Sequence, residues 1–209
     1  MVEYTKEQLN YFKFTSFVNS ELLKALRKTF KAMWDEKYGP SEIWDDSESV
    51  RKSFLAKEGG AASTKVPTQE SYEKWDCTAL FRATIYAKSF ANSTSQTLHN
   101  LYLKPLGLPS ASFHASVVSP RGDPEETRAL AIDQLRRLRN SQAHLTNDKM
   151  DKATFDLNVH LAKQALQALG IRTKVIEELG NLPESVLPTS QTTKLRRQRD
   201  MAVGAVLFN

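Results

Sequence analysis

Apolar residues in this chain recur at intervals of three and four, the period of a helix with one buried stripe. The longest stripe is Leu22, Leu23, Leu26, Phe30, Met33 and Trp34, in a segment that Ser20 opens and Gly39-Pro40 stop after Tyr38. Before it, Thr5 with Gln8 has the form of a capping box and predicts a short helix over residues 7–14. Val50, Phe54 and Leu55 face inward from a predicted helix over 47–57, which Gly59-Gly60 end. Trp75, Leu80, Phe81, Ile85 and Tyr86 predict one helix over residues 69–90, with Asp76 close to its buried side.

Residues 92–123 break the period. Pro105, Gly107, Pro109, Pro120 and Gly122 make this a long connection with room for one helical turn near residues 98–103. The best punctuated helix follows: Asp123 as N-cap, Pro124 at its first position, Glu125 and Glu126 in the first turn, Arg136, Arg137 and Arg139 towards the end. Leu130, Ala131, Leu135, Leu138 and Ala143 supply its inward faces. Asp151 opens another helix, on which Phe155, Val159, Ala162, Leu166 and Leu169 step by three and four to Gly170; a short helix over 173–179 closes the series. The expectation is an all-α fold: an antiparallel helical bundle over residues 1–180 with a long connecting loop, and a flexible basic and apolar C-terminal tail over 181–209. Alternating strand pattern is confined to the apolar stretch 201–208.

Composition narrows the setting. With 40% hydrophobic and 25% charged residues, the chain has the make-up of an ordinary globular protein, and it has no apolar run long enough to span a membrane. The start, Met1-Val2-Glu3-Tyr4-Thr5-Lys6-Glu7, lacks the apolar core of a secretory signal, and the single Cys77 excludes an internal disulfide. Both point to an intracellular, cytoplasmic location with the nucleus left open. Cys77 reads as a small core residue within an apolar helix. Of the formal net charge of +5, Lys194 to Asp200 supply +3, four basic residues against one acidic, leaving about +2 for the rest. The folded part is therefore no strongly basic glove for nucleic acid, and the tail reads as a solvated basic end.

The stretch Arg139-Asn140-Ser141-Gln142-Ala143-His144 carries the candidate chemistry. An Arg offers phosphate a permanently charged planar fork, and an imidazole exchanges protons near neutrality. At about 100° per residue, Asn140 and His144 share one face while Arg139 points roughly 140° away from His144, so a site that uses both needs a helix–helix seam or a second copy. As a short pattern it is weak, since Arg and His near a helix end also complement the dipole and cap carbonyls. His99, His114, His144 and His160 have no metal-ligand spacing, and no metal or cofactor is expected. His160 reads as a polar-face residue. Gly59-Gly60 lack the spacing of a phosphate-cradling loop and are read as a helix stop. No G-x-S-x-G elbow is present.

Four blocks occur in order: Lys28-Thr29-Phe30 with Trp34-Asp35, Glu73 to Phe81 with its W-D-x-T-x-L run, Leu135 to His144 with R-N-x-x-x-H, and Phe155 to Gly170. Together they resemble a HEPN domain, and more narrowly the branch named after the DAZ-interacting zinc-finger ubiquitin ligase; the resemblance spans residues 9–179. It implies a helical bundle that dimerises, bringing two R-x4–6-H motifs into a cleft that cuts RNA without a metal. Arg139, Asn140 and His144 match that motif and would take its catalytic roles, and Asp76 matches an acidic position that would support them. The resemblance thus implies RNA and a second copy of the chain as partners. Set against it is a non-catalytic dimerisation or interaction module of an intracellular signalling or immune-type protein, with other proteins as partners. The small charge of the folded part favours this second class. A ubiquitin-ligase role is disfavoured, because one cysteine cannot build a RING zinc site.

Overall fold

Capping side chains decide where the helices begin. In the computed structural model, which describes residues 4–145 and 147–182, Thr5 and Gln8 form the reciprocal capping box of α1 (Lys6–Asn19). Ser47 caps α3 (Glu48–Lys57), Asp76 caps α4 (Cys77–Thr84), Asp123 caps α5 (Pro124–Ala143) and Asp151 caps α6 (Lys152–Ala168). Each side chain accepts a hydrogen bond from a backbone N–H that the first turn leaves without a partner. The series is completed by α2 (Glu21–Tyr38) and α7 (Lys174–Glu178). No strand occurs among the described residues.

The fold is an all-helical bundle. α5 packs against α6 and α4, α1 against α2 and α6, and α2 against α4. The apolar stripe of α2 lies at its centre, with Leu22, Leu26, Phe30 and Trp34 fully buried. Phe30 is the hub of an aromatic cluster, meeting Trp44 edge-on at 4.6 Å and Trp75, Phe54 and Phe90 within 6.1 Å. Buried rings bring large apolar area and prefer such tilted or edge-on contacts. Indole N–H groups also fasten loops, Trp34 to the Glu42 carbonyl at 2.8 Å and Trp75 to that of Pro67 at 3.1 Å. Asp35 completes one clasp by accepting from Trp44 N at 2.7 Å.

The connection between α4 and α5 is irregular but anchored. His99–Leu103 form a π-helical turn, and the chain beyond it is tied onto α5 through a buried polar network. Asp133 accepts from His114 Nε2 at 2.7 Å, Arg137 Nε at 2.6 Å and Arg136 Nε at 2.7 Å. Arg137 also donates to the carbonyls of Pro109 and Ser112, both at 2.7 Å, and Gln134 Oε1 accepts from His114 N at 2.9 Å. Burial pushes the Asp133 carboxyl up, but the bonds from His114 and Arg137 and the Arg136 charge outweigh it and hold the group well below the usual carboxylate range.

Several expectations are corrected. α1 runs five residues past Phe14, because Phe17 and Val18 join the core and Gln142 reaches from α5 to Thr15 at 2.6 Å. The single helix expected over 69–90 is broken into a 3₁₀ turn at Tyr72–Lys74, α4, and a 3₁₀ turn at Lys88–Phe90. Ser71 and Asp76 each start a new turn, and the Glu58 carboxylate caps the last by accepting from Lys88 N and Ser89 N. Residues 79–90 are buried on nearly all sides, so apolar period alone could not show the breaks. Ala143 is exposed rather than inward, and Arg136 and Arg137 turn to Asp133. Cys77 opens α4 and is only half-buried. The stop at Gly59-Gly60 holds: both have positive φ (86° and 90°), and Gly60 N reaches back to the Leu55 carbonyl. His160 is exposed. The basic stretch 194–200 and apolar stretch 201–208 lie outside the described residues.

Candidate functional site: a cationic cleft between two helices

Two helical faces meet across a cleft of about 500 Å³. Thr78, Phe81 and Arg82 of α4, with Tyr86 just beyond it, recur every three or four residues and form one wall. Arg136, Arg139 and Asn140 of α5 form the other, again at one helical face. Ser63, Thr64 and Lys65 of the loop after α3, and Glu58 at its end, close the rim. The volume lies within the roughly 300–1,000 Å³ of small-ligand sites.

The lining is strongly positive. Lys65, Arg82, Arg136 and Arg139 face it against one carboxylate, Glu58. That carboxylate is buried and already accepts from Lys88 N at 3.0 Å, Ser89 N at 2.8 Å and Ser89 Oγ at 2.6 Å. Arg136 is held through its Nε by Asp133, so its position depends on the buried network behind it. Arg139 donates from Nη1 to Asn140 Oδ1 at 3.3 Å, coupling these neighbours in one donor array. The side chains of Arg82 and Lys65 make no hydrogen bond or ion pair among the described residues. Hydroxyls of Thr64 and Thr78 add short donors that match phosphate oxygens, whereas that of Ser63 donates to the Gly59 carbonyl at 3.0 Å.

The expected motif residues are divided by this geometry. Arg139, which helical projection set roughly 140° away from His144, lines the same cleft as Asn140. A long Arg side chain spans the difference. His144 does not line it; it is the exposed C-cap of α5, its backbone N–H bonded to the Asn140 carbonyl at 3.1 Å. Asp76, expected near the buried side, is exposed and spends its carboxylate on Ala79 N at 2.8 Å. It fixes the start of α4, and so the wall carrying Thr78 and Arg82. Burial raises the Cys77 thiol and outweighs the lowering by the nearby Arg139 charge, which leaves Cys77 a poor nucleophile.

Lys65, Arg82, Tyr86 and Arg136 were not read as site residues from sequence. The available signal was the i, i+4, i+8 spacing of Thr78, Arg82 and Tyr86, beside an otherwise apolar run, and the i, i+3, i+4 spacing of Arg136, Arg139 and Asn140. No group of three or more His, Cys, Asp or Glu is placed to hold a metal among the described residues. Among those residues, no helix is long and apolar enough to cross a membrane. Compared with family models, curated proteins and solved structures, the chain matches none.

Proposed function

We propose that this chain is a HEPN-type, metal-independent endoribonuclease that acts as a dimer. The observation that carries the reading is the placement of Arg139 and Asn140 in a cleft with three further cations, while His144 stands exposed at the end of the same helix. In this reading the cleft grips a phosphodiester, with Arg139 stabilising charge on the phosphoryl oxygens and Asn140 orienting the substrate. A ribose 2′-hydroxyl attacks the adjoining phosphorus, and the bond from phosphorus to the 5′ oxygen breaks. The products are a 2′,3′-cyclic phosphate and a 5′-hydroxyl. His144 of the second copy takes the proton from the attacking hydroxyl and, as imidazolium, gives it to the leaving oxygen.

Purified protein with chelator present should cleave RNA. Proton transfer by a positioned imidazole contributes about 10²–10⁴-fold and an electrostatic donor about 10²–10³-fold, so His144→Ala and Arg139→Ala should each lose activity by such factors. Parental cleavage by His144→Ala sinks the enzymatic reading.

One observation favours a second reading: His144 is outside the cleft that Arg139 lines. In that reading the domain is a non-catalytic interaction module whose cleft binds an anionic partner and whose α5 end serves in dimerisation. A chain that binds RNA and cleaves none would fit it.

A further inference from the structure

One cleft residue is unexplained by phosphate binding. Tyr86 lies at the end of the α4 wall, keeps 38% of its surface exposed, and stacks on His99 with ring centres 4.6 Å apart and planes 28° apart. An aromatic ring left this exposed forgoes burial that the neighbouring Phe81, at 4%, obtains. His99 is itself fixed, since its backbone N–H donates to the Ile85 carbonyl at 2.8 Å and it begins the π-helical turn. Such turns are often found at functional sites. Tyr86 is therefore a propped ring, facing a cleft whose same wall presents Arg82 one turn earlier.

Resting on the reading that the cleft binds phosphate, we propose that Tyr86, supported by His99, is a stacking platform for a nucleobase and that Arg82 takes the phosphate beside it. The unit held is a nucleotide with an unpaired base: base on Tyr86, phosphate among Arg82, Arg136 and Arg139. A base within a duplex is stacked on both faces and cannot lie on the ring, so duplex RNA is a poor ligand. Aromatic stacking tolerates every base, because each has a π face, so the platform selects for exposure of the base rather than for sequence.

The test uses the full chain and a labelled 2′-O-methyl oligoribonucleotide, which lacks the attacking hydroxyl and stays intact. Binding is read by fluorescence anisotropy for the single strand, its duplex, an abasic strand of equal length, and adenosine monophosphate as competitor. The single strand should bind at least about tenfold more tightly than the duplex or the abasic strand, within the range that one stacked base provides. Tyr86→Phe keeps that preference; Tyr86→Leu, which retains apolar bulk without the ring, abolishes it and leaves abasic binding unchanged. Arg82→Gln weakens all strands. Competition by the monophosphate assigns the site to a free nucleotide unit, and its absence assigns it to a nucleotide within a strand; either supports the platform. Equal binding of single and abasic strands, or an unchanged preference in Tyr86→Leu, overturns it, while continued loss in Arg139→Ala keeps the phosphate cleft. If Arg139→Ala and Arg82→Gln bind every strand as the parent does, the phosphate-binding reading falls as well.

Discussion

Replacing Asp133 by Asn should loosen both the scaffold and the site. The Asp133 side chain is 1% exposed and is the shared acceptor for His114, Arg136 and Arg137, themselves 4%, 25% and 8% exposed. An Asn leaves one neutral oxygen where a carboxylate met three donors, and turns an N–H pair towards at least one of them. Arg137 then stays buried with its charge unmatched. Breaking one partner out of a buried ion pair costs about 3–5 kcal/mol. A domain of this size loses about 2–4 °C per kcal/mol, so the melting temperature should fall by about 6–20 °C. Urea titration and thermal unfolding of parent and variant measure this directly. The pH dependence supplies a sign: a carboxyl depressed in the folded state stabilises above its unfolded value of about 3.9 and loses that contribution as pH falls towards the folded value. The gap between parent and variant should be constant above about pH 5 and narrow below about pH 4. A loss no larger than the ~0.5 kcal/mol of an ordinary surface change, or a gap that widens in acid, refutes the role given to the network.

Other consequences concern separate parts of the molecule. Phe30→Ala removes the hub of the aromatic cluster and should cost about 3–5 kcal/mol, measured as a lower urea midpoint. Asp123→Ala removes the N-cap of α5 and should cost about 0.5–2 kcal/mol. Burial and the hydrogen bond to Asp123 raise Tyr102 to about 12, so alkaline ultraviolet titration should find Tyr102 ionising later than an ordinary tyrosine, and earlier in that variant than in the parent. RNA affinity should fall steeply with salt, and Lys65→Gln should reduce the slope of log K against log salt by about 0.7 for a single-strand phosphate contact.

The helices were legible where the chain carries local chemistry. Thr5 and Asp123 read as caps, and Ser47 and Asp151 as helix starts, because a cap's role involves only residues two or three positions on. The breaks within 69–90 were hidden, since the Glu58 carboxylate that caps Lys88–Phe90 comes from 30 residues earlier. A separation of 19 residues likewise obscured His114, a lone imidazole in an irregular loop until Asp133 is placed beside it. At the site, Arg139 and Asn140 could be picked from the motif, but the cleft could not. It needs α4 laid against α5, and Arg82, Tyr86 and Lys65 acquire meaning only across that seam. His144 was expected to meet Arg139 through a seam, and a second copy is the arrangement that would reunite them.

Mixing two inactive variants is the most direct test of that arrangement. In a C2 dimer whose cleft takes Arg139 from one copy and His144 from the other, Arg139→Ala paired with His144→Ala rebuilds one intact site in each mixed dimer. Each variant alone should fail to cleave RNA, and their mixture should recover roughly a quarter of the parental rate by random pairing. A mixture as inactive as its components, from a parent that cleaves, contradicts a site shared between copies.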